Sequence, residues 1–159
     1  ITFFFENRTE ARAVRRLPSV RRNIRTEDKD MVEKGIKNKL EIVVTEDKTA
    51  AALGSGLLPV FGTPYMIAMI EQTAAESAAP YLEEGQGTVG THLDVDHLAA
   101  TPIGMKVTCE TELIEVDRKR LEFEASVYDE TGLVGKGYHT RFIIDNARFM
   151  EKAEAKKNA

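Results

Sequence analysis

A single carboxylate stands out because it lies within an apolar segment. Glu71 occurs in residues 64–79, a run rich in Ala, Ile and Met. If this run is a helix, Glu71 shares its face with Ile67, Ala68, Ala74, Ala75 and Ala78. A carboxylate in such surroundings loses hydration, which raises its pKa and suits it to act as a nucleophile or general base near neutral pH. A solvated helix carboxylate is the alternative interpretation, and Glu76, about 140° further round the helix, lies on a different face.

Thr63 and Pro64 mark the predicted start of the same helix. Thr is a good N-cap residue and Pro suits the first helical position, so this pair needs no function to explain it. The same position also offers free backbone N–H groups and the positive end of the helix dipole, which could polarise a carbonyl oxygen. Thr63 and Glu71 are eight residues apart, or about 12 Å along one helix, and cannot reach the same atom. If two such helices pack antiparallel about a two-fold axis, the two residues can meet, which predicts a site shared between subunits.

The three histidines do not form a metal site. His92 and His97 are five residues apart on a predicted strand and therefore lie on opposite faces. Asp94 and Asp96 share a face but have no further ligands nearby in the sequence, so no metal ion is predicted. His97, at the end of its strand, is either a hydrogen-bonded structural histidine or an acid–base group. His139 is given no role.

Composition excludes several classes of protein. The chain of 159 residues has a formal net charge of −4, whereas binding to nucleic acid requires a surplus of Lys and Arg. The single cysteine, Cys109, excludes an internal disulfide and a Cys-rich zinc site, which leaves a reducing cytoplasm as the expected compartment. Its place in an alternating strand predicts a small core residue. No apolar stretch is long enough to span a bilayer, and no secretory signal is recognised, so no membrane partner is expected.

The first thirty residues differ from the rest of the chain. Residues 1–30 contain eight Lys/Arg against five Asp/Glu and show no clear apolar period. They are predicted to be a disordered or non-native N-terminal extension, with the folded domain beginning near Met31. A basic arm for nucleic acid is the competing interpretation, although no helix-turn-helix pattern accompanies it. The domain is expected to cover residues 31–150, followed by a polar C-terminal tail at residues 151–159.

The order of predicted elements indicates an α+β fold. Alternating apolar and polar residues predict strands, and the apolar run predicts one long, enclosed helix. The strands are expected at residues 36–45, 88–98, 105–113, 121–127 and 133–145, and the helix from Thr63 to about Leu82. An antiparallel β-sheet of about five strands wrapped around one long central helix satisfies this order. A monomer of this kind would expose a sheet edge and part of the helix, which favours a dimer.

Four segments together resemble a known family. Residues 60–66, Glu71, residues 90–104 and residues 135–142 resemble the fluoroacetyl-CoA thioesterase-like group of hotdog proteins, and the resemblance extends over about residues 36–149. It implies a hotdog fold, hydrolysis of a small acyl-CoA, and a catalytic set that falls on Thr63, Glu71 and His97. With the offset between Thr63 and Glu71, the expected partner is a second copy, as a homodimer or dimer of dimers with the site at the subunit interface. No cofactor is expected, because CoA is part of the substrate.

The resemblance leaves substrate and mechanism open. The stretch between the first strand and the helix is short and contains residues 54–56 (Gly-Ser-Gly), whereas family members devoted to fluoroacetyl-CoA are longer there, which favours a broader or unknown short acyl-CoA. Glu71 could act as nucleophile or as general base on water. Cations available for the CoA phosphates are Arg118, Lys119, Arg120 and Arg141, none of which is assigned.

The same fold admits two other functions. A non-catalytic acyl-CoA-binding module, acting as a sensor or partner protein, is the alternative, because a fold alone does not guarantee activity. A hotdog dehydratase would present an Asp/His pair in a Gly-Asp-x-Asn-Pro-x-His-type run, which the sequence lacks.

Overall fold

A five-stranded antiparallel sheet covers one side of a long helix in this computed structural model, which describes residues 31–158. The extension predicted for residues 1–30 lies outside the described residues. In chain order the elements are β1 (Lys37–Val43), α1 (Thr63–Ala78), β2 (Gln86–His97), β3 (Lys106–Asp117), β4 (Arg120–Asp129), β5 (Leu133–Asp145) and α2 (Asn146–Ala155). Single 3-10 turns lie at Glu46–Lys48, Ala79–Tyr81 and Lys156–Asn158. The strand order β1-β3-β4-β5-β2 leaves β1 and β2 as the two edges, and the predicted α+β architecture is confirmed.

The core lies between α1 and the sheet, in two parts. Period-two alternation in β3 and β4 turns their apolar side chains toward the helix, as the sequence predicted. One cluster surrounds the first half of α1, and a smaller one around Phe123 supports its second half. Cys109 belongs to the first cluster, where burial raises the pKa of its thiol to about 11. Its assignment as a core residue is confirmed.

The start of α1 differs from the prediction by one residue. Gly62, not Thr63, is the N-cap, so Thr63 and Pro64 are the first two helical residues. The carbonyl of Gly62 accepts both the Tyr65 and the Met66 N–H, each at 3.0 Å. Tyr65 therefore has no free amide and Pro64 has none to offer, so of these three residues only Thr63 can present a free N–H. The Thr63 hydroxyl is not used to cap the helix, which leaves it available for another contact.

The end of α1 also comes earlier than predicted. The α-helix stops at Ala78 rather than near Leu82, and one 3-10 turn follows. Pro80 explains the change, because it has no N–H to donate to the carbonyl of Glu76. The Leu82 N–H instead bonds to the Ala79 carbonyl at 3.3 Å, which closes the tighter turn.

Within residues 31–158 one stripe of α1 is open to solvent, as the sequence predicted for part of the helix in a monomer. The exposed residues of this stripe are Thr63, Pro64, Ala68, Gln72 and Glu76. The sheet covers only one side of the helix, and alanines that made the sequence look apolar all round fall partly on the other side. Gln72 donates to Glu76 at 2.8 Å and forms the polar side that the sequence indicated.

The C-terminal helix α2 continues directly from β5. The Asp145 carboxylate accepts the Arg148 N–H at 2.8 Å, a standard N-cap contact. All residues of α2 are exposed, and the domain boundary expected at residue 150 falls inside it. Within residues 31–158 neither helix has the length and apolar character needed to traverse a bilayer.

Close packing of β2 on β5 depends on glycines in β5. Gly135 pairs with His97 and Gly137 pairs with Val95. A Cβ at Gly137 would overlap the carbonyl oxygen of Asp94 and lie 2.7 Å from Val95 Cα. Both obstacles are backbone atoms, so the strands cannot accommodate a side chain there without separating.

We therefore predict that Gly137→Ala destabilises the fold by about 1–3 kcal/mol, because the new methyl forces β2 away from β5. Urea unfolding followed by circular dichroism measures the change. Lys136→Ala, at the exposed neighbouring position of the same strand, is the matched control and should stay within about 0.5 kcal/mol of the parent. Equal stability of the two variants would contradict this account of the strand pairing.

Candidate active site

Two of the three predicted site residues are in direct contact. Thr63 Oγ1 lies 2.8 Å from His97 Nδ1, a hydrogen bond between the start of α1 and the end of β2. These residues are 34 positions apart in the sequence, and the contact depends entirely on how the chain between them is held. The hydroxyl that does not cap the helix is thus used to orient an imidazole.

Backbone hydrogen bonds fix the segment before Thr63. The Gly62 N–H donates to the Lys48 carbonyl at 2.9 Å, and the Phe61 N–H donates to the Thr101 carbonyl at 2.8 Å. The second bond ties the helix start to the segment that follows β2. The Phe61 ring also meets the His97 ring edge-on, with centroids 6.1 Å apart. Thr63 and His97 are therefore brought together by a backbone framework rather than by their own hydrogen bond alone.

His97 is poised as a neutral imidazole. Burial lowers its pKa, and a backbone contact with Ala99 offsets part of that effect. Its Nε2 atom is buried and has no hydrogen-bond partner among the described residues. A buried polar atom without a partner is costly, so this nitrogen is available to bond a substrate or to move a proton.

A pocket of about 320 Å³ opens beside this pair. Its lining is formed by Ala50, Ser55, Val60, Phe61, Thr63, His97, Leu98, Ala99 and Ala100. Most of these side chains are small or apolar, which suits a short acyl group or a narrow apolar chain. A larger depression of about 520 Å³ lies over β1, β3 and β4, but it is lined mainly by charged side chains and contains none of the predicted site residues.

Glu71 lies elsewhere. It occupies the middle of α1, about 12 Å along the helix from Thr63, and is half-buried while Glu76 is exposed. Its carboxylate instead faces Gly90 and His139. An added Cβ at Gly90 would lie 3.0 Å from Glu71 Oε1 and 2.9 Å from His139 Cε1, so both side chains border the space that this glycine leaves.

Arg141 completes this second group and is held by several hydrogen bonds. Its Nε donates to Thr88 Oγ1 and its Nη2 to the Thr88 carbonyl, both at 2.8 Å. Its Nη1 lies 3.1 Å from His139 Nε2 and 3.4 Å from the carbonyl oxygen of Glu71. Burial lowers the pKa of both Arg141 and His139, and the nearby charge of Glu71 acts in the opposite direction on each.

A β-bulge aligns both groups on the helix-facing side of β2. Gly90 pairs with Arg141, whereas His92 pairs with Thr140, so Thr91 is an extra residue. Without it, strand alternation would put Gly90 and His97, an odd number of residues apart, on opposite faces. The bulge therefore allows one strand to supply His97 to the first group and the Gly90 gap to the second.

Sequence reasoning missed His139 as a site residue and left Arg141 only as an unassigned phosphate contact. The signal was present in the alternation of β5, where His139 and Arg141 occupy inward positions between the outward Tyr138 and Phe142. Polar residues at core-facing positions require buried partners. Local sequence motifs do not show which residues those partners are.

The other candidate residues take no part in either group. Arg120 is paired with Glu122 at 2.8 Å in the β3–β4 hairpin, next to exposed Arg118 and Lys119. Asp94 and Asp96 are exposed on β2. Within residues 31–158, no three His, Cys, Asp or Glu side chains are grouped so that they could hold a metal ion.

Comparison with known proteins gives a consistent result. The family described as fluoroacetyl-CoA-specific thioesterase matches residues 44–147. A fluoroacetyl-CoA thioesterase from Streptantibioticus cattleyicolor is 39% identical over 100 residues, which cover 63% of this chain and 72% of that protein. The solved structure of a fluoroacetyl-CoA thioesterase superposes with a TM-score of 0.77 at 34% identity, covering 80% of this chain and 98% of that one.

A more distant structure has the same fold. A thioesterase superfamily member from Thermus thermophilus superposes with a TM-score of 0.73 at 27% identity, covering 79% of this chain and 93% of that one. These similarities confirm the hotdog fold that the sequence predicted.

The Gly90 gap leads to a prediction about the Glu71 group. Gly90→Ala should lower the turnover number by about tenfold or more, because the methyl displaces the Glu71 carboxylate or the His139 ring. Steady-state kinetics measure the loss. Gly56→Ala is the control, since its added Cβ would meet only Ala50 Cβ at 3.4 Å. Full activity of Gly90→Ala would show that the positions of these two side chains do not matter.

Proposed function

Because this chain belongs to the family of fluoroacetyl-CoA-specific thioesterases, we propose that Thr63 and His97 of one subunit act with Glu71 of a second copy. The protein is an acyl-CoA thioesterase that hydrolyses a small acyl-CoA to free acid and CoA. The observation that carries the proposal is the division of the site within one chain. Thr63 contacts His97, whereas Glu71 lies about 12 Å away on the same continuous helix.

A homodimer would join the two halves. Among residues 31–158, α1 has an open stripe and β2, a strand of 12 residues, has no strand on its outer edge. Such an edge tends to pair with another strand, and two copies pairing about a two-fold axis bring their helices together antiparallel. Thr63 of one helix then approaches Glu71 of the other. A dimer of dimers keeps the same arrangement.

The proposed reaction uses each group for one task. The Thr63 backbone N–H, at the positive end of α1, polarises the thioester carbonyl, and the Thr63 hydroxyl orients His97. Glu71 attacks the carbonyl carbon directly, giving an acyl–Glu71 anhydride that water then hydrolyses to the free acid, or it removes a proton from a water molecule that attacks the carbon. In either route the C–S bond breaks and His97 assists transfer of a proton to the departing thiolate. The Arg141 guanidinium places a positive charge near Glu71.

The substrate is proposed to be a short acyl-CoA, with a range broader than fluoroacetyl-CoA. The loop of residues 50–58 supplies only Ala50 and Ser55 to the pocket lining, both with small side chains. Leu57 and Leu58 of that loop are 95% and 65% exposed and do not line the pocket. Nothing in the geometry or the comparisons favours the non-catalytic acyl-CoA-binding alternative.

We also propose a cytoplasmic location and a reaction without a cofactor. We place the enzyme in the cytoplasm because its one cysteine is a buried, unpaired thiol. The proposed chemistry requires no cofactor, since CoA enters as part of the substrate and the protein groups supply the remaining steps.

Replacing Glu71 tests the central assignment. Glu71→Gln should lower the turnover number by about 100-fold or more, because the amide can neither attack the thioester nor accept a proton from water. A panel of short acyl-CoA substrates assayed by thiol release measures the effect. Glu110→Gln removes an exposed carboxylate from β3, away from α1, and should retain parental activity. Near-parental turnover of Glu71→Gln across the panel would rule out Glu71.

Subunit mixing tests whether the site is shared. Thr63→Ala and Glu71→Gln homodimers should each be weakly active, but a heterodimer of the two contains one intact site. Random one-to-one reassociation should therefore restore about a quarter of the parental activity, since half of the dimers are mixed and each has one working site of two.

A site contained within one chain gives the opposite outcome, because every subunit in the mixture then has a defect. Mixing two batches of Glu71→Gln is the control for recovery caused by reassociation itself. No gain above the separate variants, once heterodimers have been verified by mass spectrometry, would contradict the shared site.

A further inference from the structure

His139 is a fully buried imidazole whose two ring nitrogens both have partners. Its Nδ1 lies 2.9 Å from the carbonyl oxygen of His92, and its side chain is 0% exposed. A carbonyl oxygen can only accept, so Nδ1 must hold the hydrogen. The Arg141 guanidinium can only donate, so Nε2 must accept the Nη1–H at 3.1 Å. One state of the ring satisfies both bonds, the neutral form with its hydrogen on Nδ1.

We propose that His139 is a positioning residue for the thioesterase reaction, whose unprotonated Nε2 holds the Arg141 guanidinium in place beside Glu71. This inference rests on the proposed role of Glu71. His139 does not contact the substrate in this proposal. It acts on the reaction through Arg141.

The geometry of Arg141 shows why a second anchor is needed. Thr88 holds one edge of the guanidinium through Nε and Nη2, and Thr88 belongs to the edge strand β2. At the other edge, Nη1 has the bond to His139 and a longer contact of 3.4 Å with the Glu71 carbonyl. Without an acceptor at His139, the guanidinium is fixed at one edge only and can pivot about Thr88. Its charge then moves relative to the Glu71 carboxylate.

A direct acid–base role for His139 does not fit the same contacts. Both nitrogens are engaged by protein groups and the ring is sealed from solvent, so no path leads a proton to it from a substrate. The charged or titratable groups around the ring are Arg141 on its own strand, Glu71 from α1 and His92 from β2. A second proton would place an N–H against the Arg141 N–H and break the anchor.

Two isosteric variants test the roles of the two ring nitrogens of His139 separately. The amide nitrogen of His139→Asn replaces Nδ1 and can still donate to the His92 carbonyl, but it leaves Arg141 without an acceptor. The amide oxygen of His139→Gln reaches the position of Nε2 and can accept from Arg141. We expect the Asn variant to lose about tenfold or more in kcat with little change in KM, and the Gln variant to retain most of the parental kcat.

A measurement on the unmodified protein complements these kinetics. The 15N chemical shifts of the His139 ring at neutral pH should show the neutral form with hydrogen on Nδ1. Thermal unfolding of both variants gives their stability, and a purely structural role would lower kcat of the two variants alike.

Several outcomes would overturn the inference. One is parental kcat in a folded Asn variant, and another is an equal loss in the Asn and Gln variants. A charged ring, or hydrogen on Nε2 in the spectrum, would overturn it even if both variants failed to fold. Failure of the proposed function is a separate result, seen as an active Glu71→Gln, and is distinguishable because that variant leaves His139 unchanged.

Discussion

The rise of the α-helix is the constraint on which the rest of the structure depends. Thr63 and Glu71 lie on one helix without a break between them, so their separation of about 12 Å cannot be shortened within a chain. Each residue therefore has its own neighbours. Thr63 contacts the end of β2, and Glu71 lies beside the middle of β2 and β5. A catalytic set that includes both residues requires two helices, and the open stripe on α1 leaves room for the second.

The paired strands β2 and β5 carry side chains of both groups of candidate site residues. They hold His97 at one end, against Gly135, and the Thr88, His139 and Arg141 network at the other. The bulge at Thr91 rotates the strand between these two regions, so that both face the helix. At Gly137 a side chain would push β2 away from β5, and at Gly90 it would displace Glu71 or His139, so glycine is needed at both positions. Fold and site thus depend on the same strand pairing.

Sequence patterns were sufficient for whatever depends on local periodicity. The strands, the single long helix and the contrast between Glu71 and Glu76 could be derived from spacing alone, and the resemblance supplied His97. Three features could not be derived in that way. The N-cap fell on Gly62 because bonds to distant loop segments fix that residue, and Pro80 ended the helix sooner than composition suggested. His139 was passed over because its role depends on Arg141 and His92, which only the register of β5 with β2 brings to it.

The buried guanidinium is the most costly feature of the second group. Arg141 is only 7% exposed, and its hydrogen bonds go to a hydroxyl, two carbonyls and an imidazole rather than to a carboxylate. A buried charge without a directly bonded counterion stabilises a fold poorly, and well-packed apolar residues would do better. Its position is better explained by its neighbour, because the buried positive charge lies near the Glu71 carboxylate that we propose as nucleophile or base. The cost in folding stability is then the consequence of holding a positive charge beside the carboxylate that we propose as catalytic.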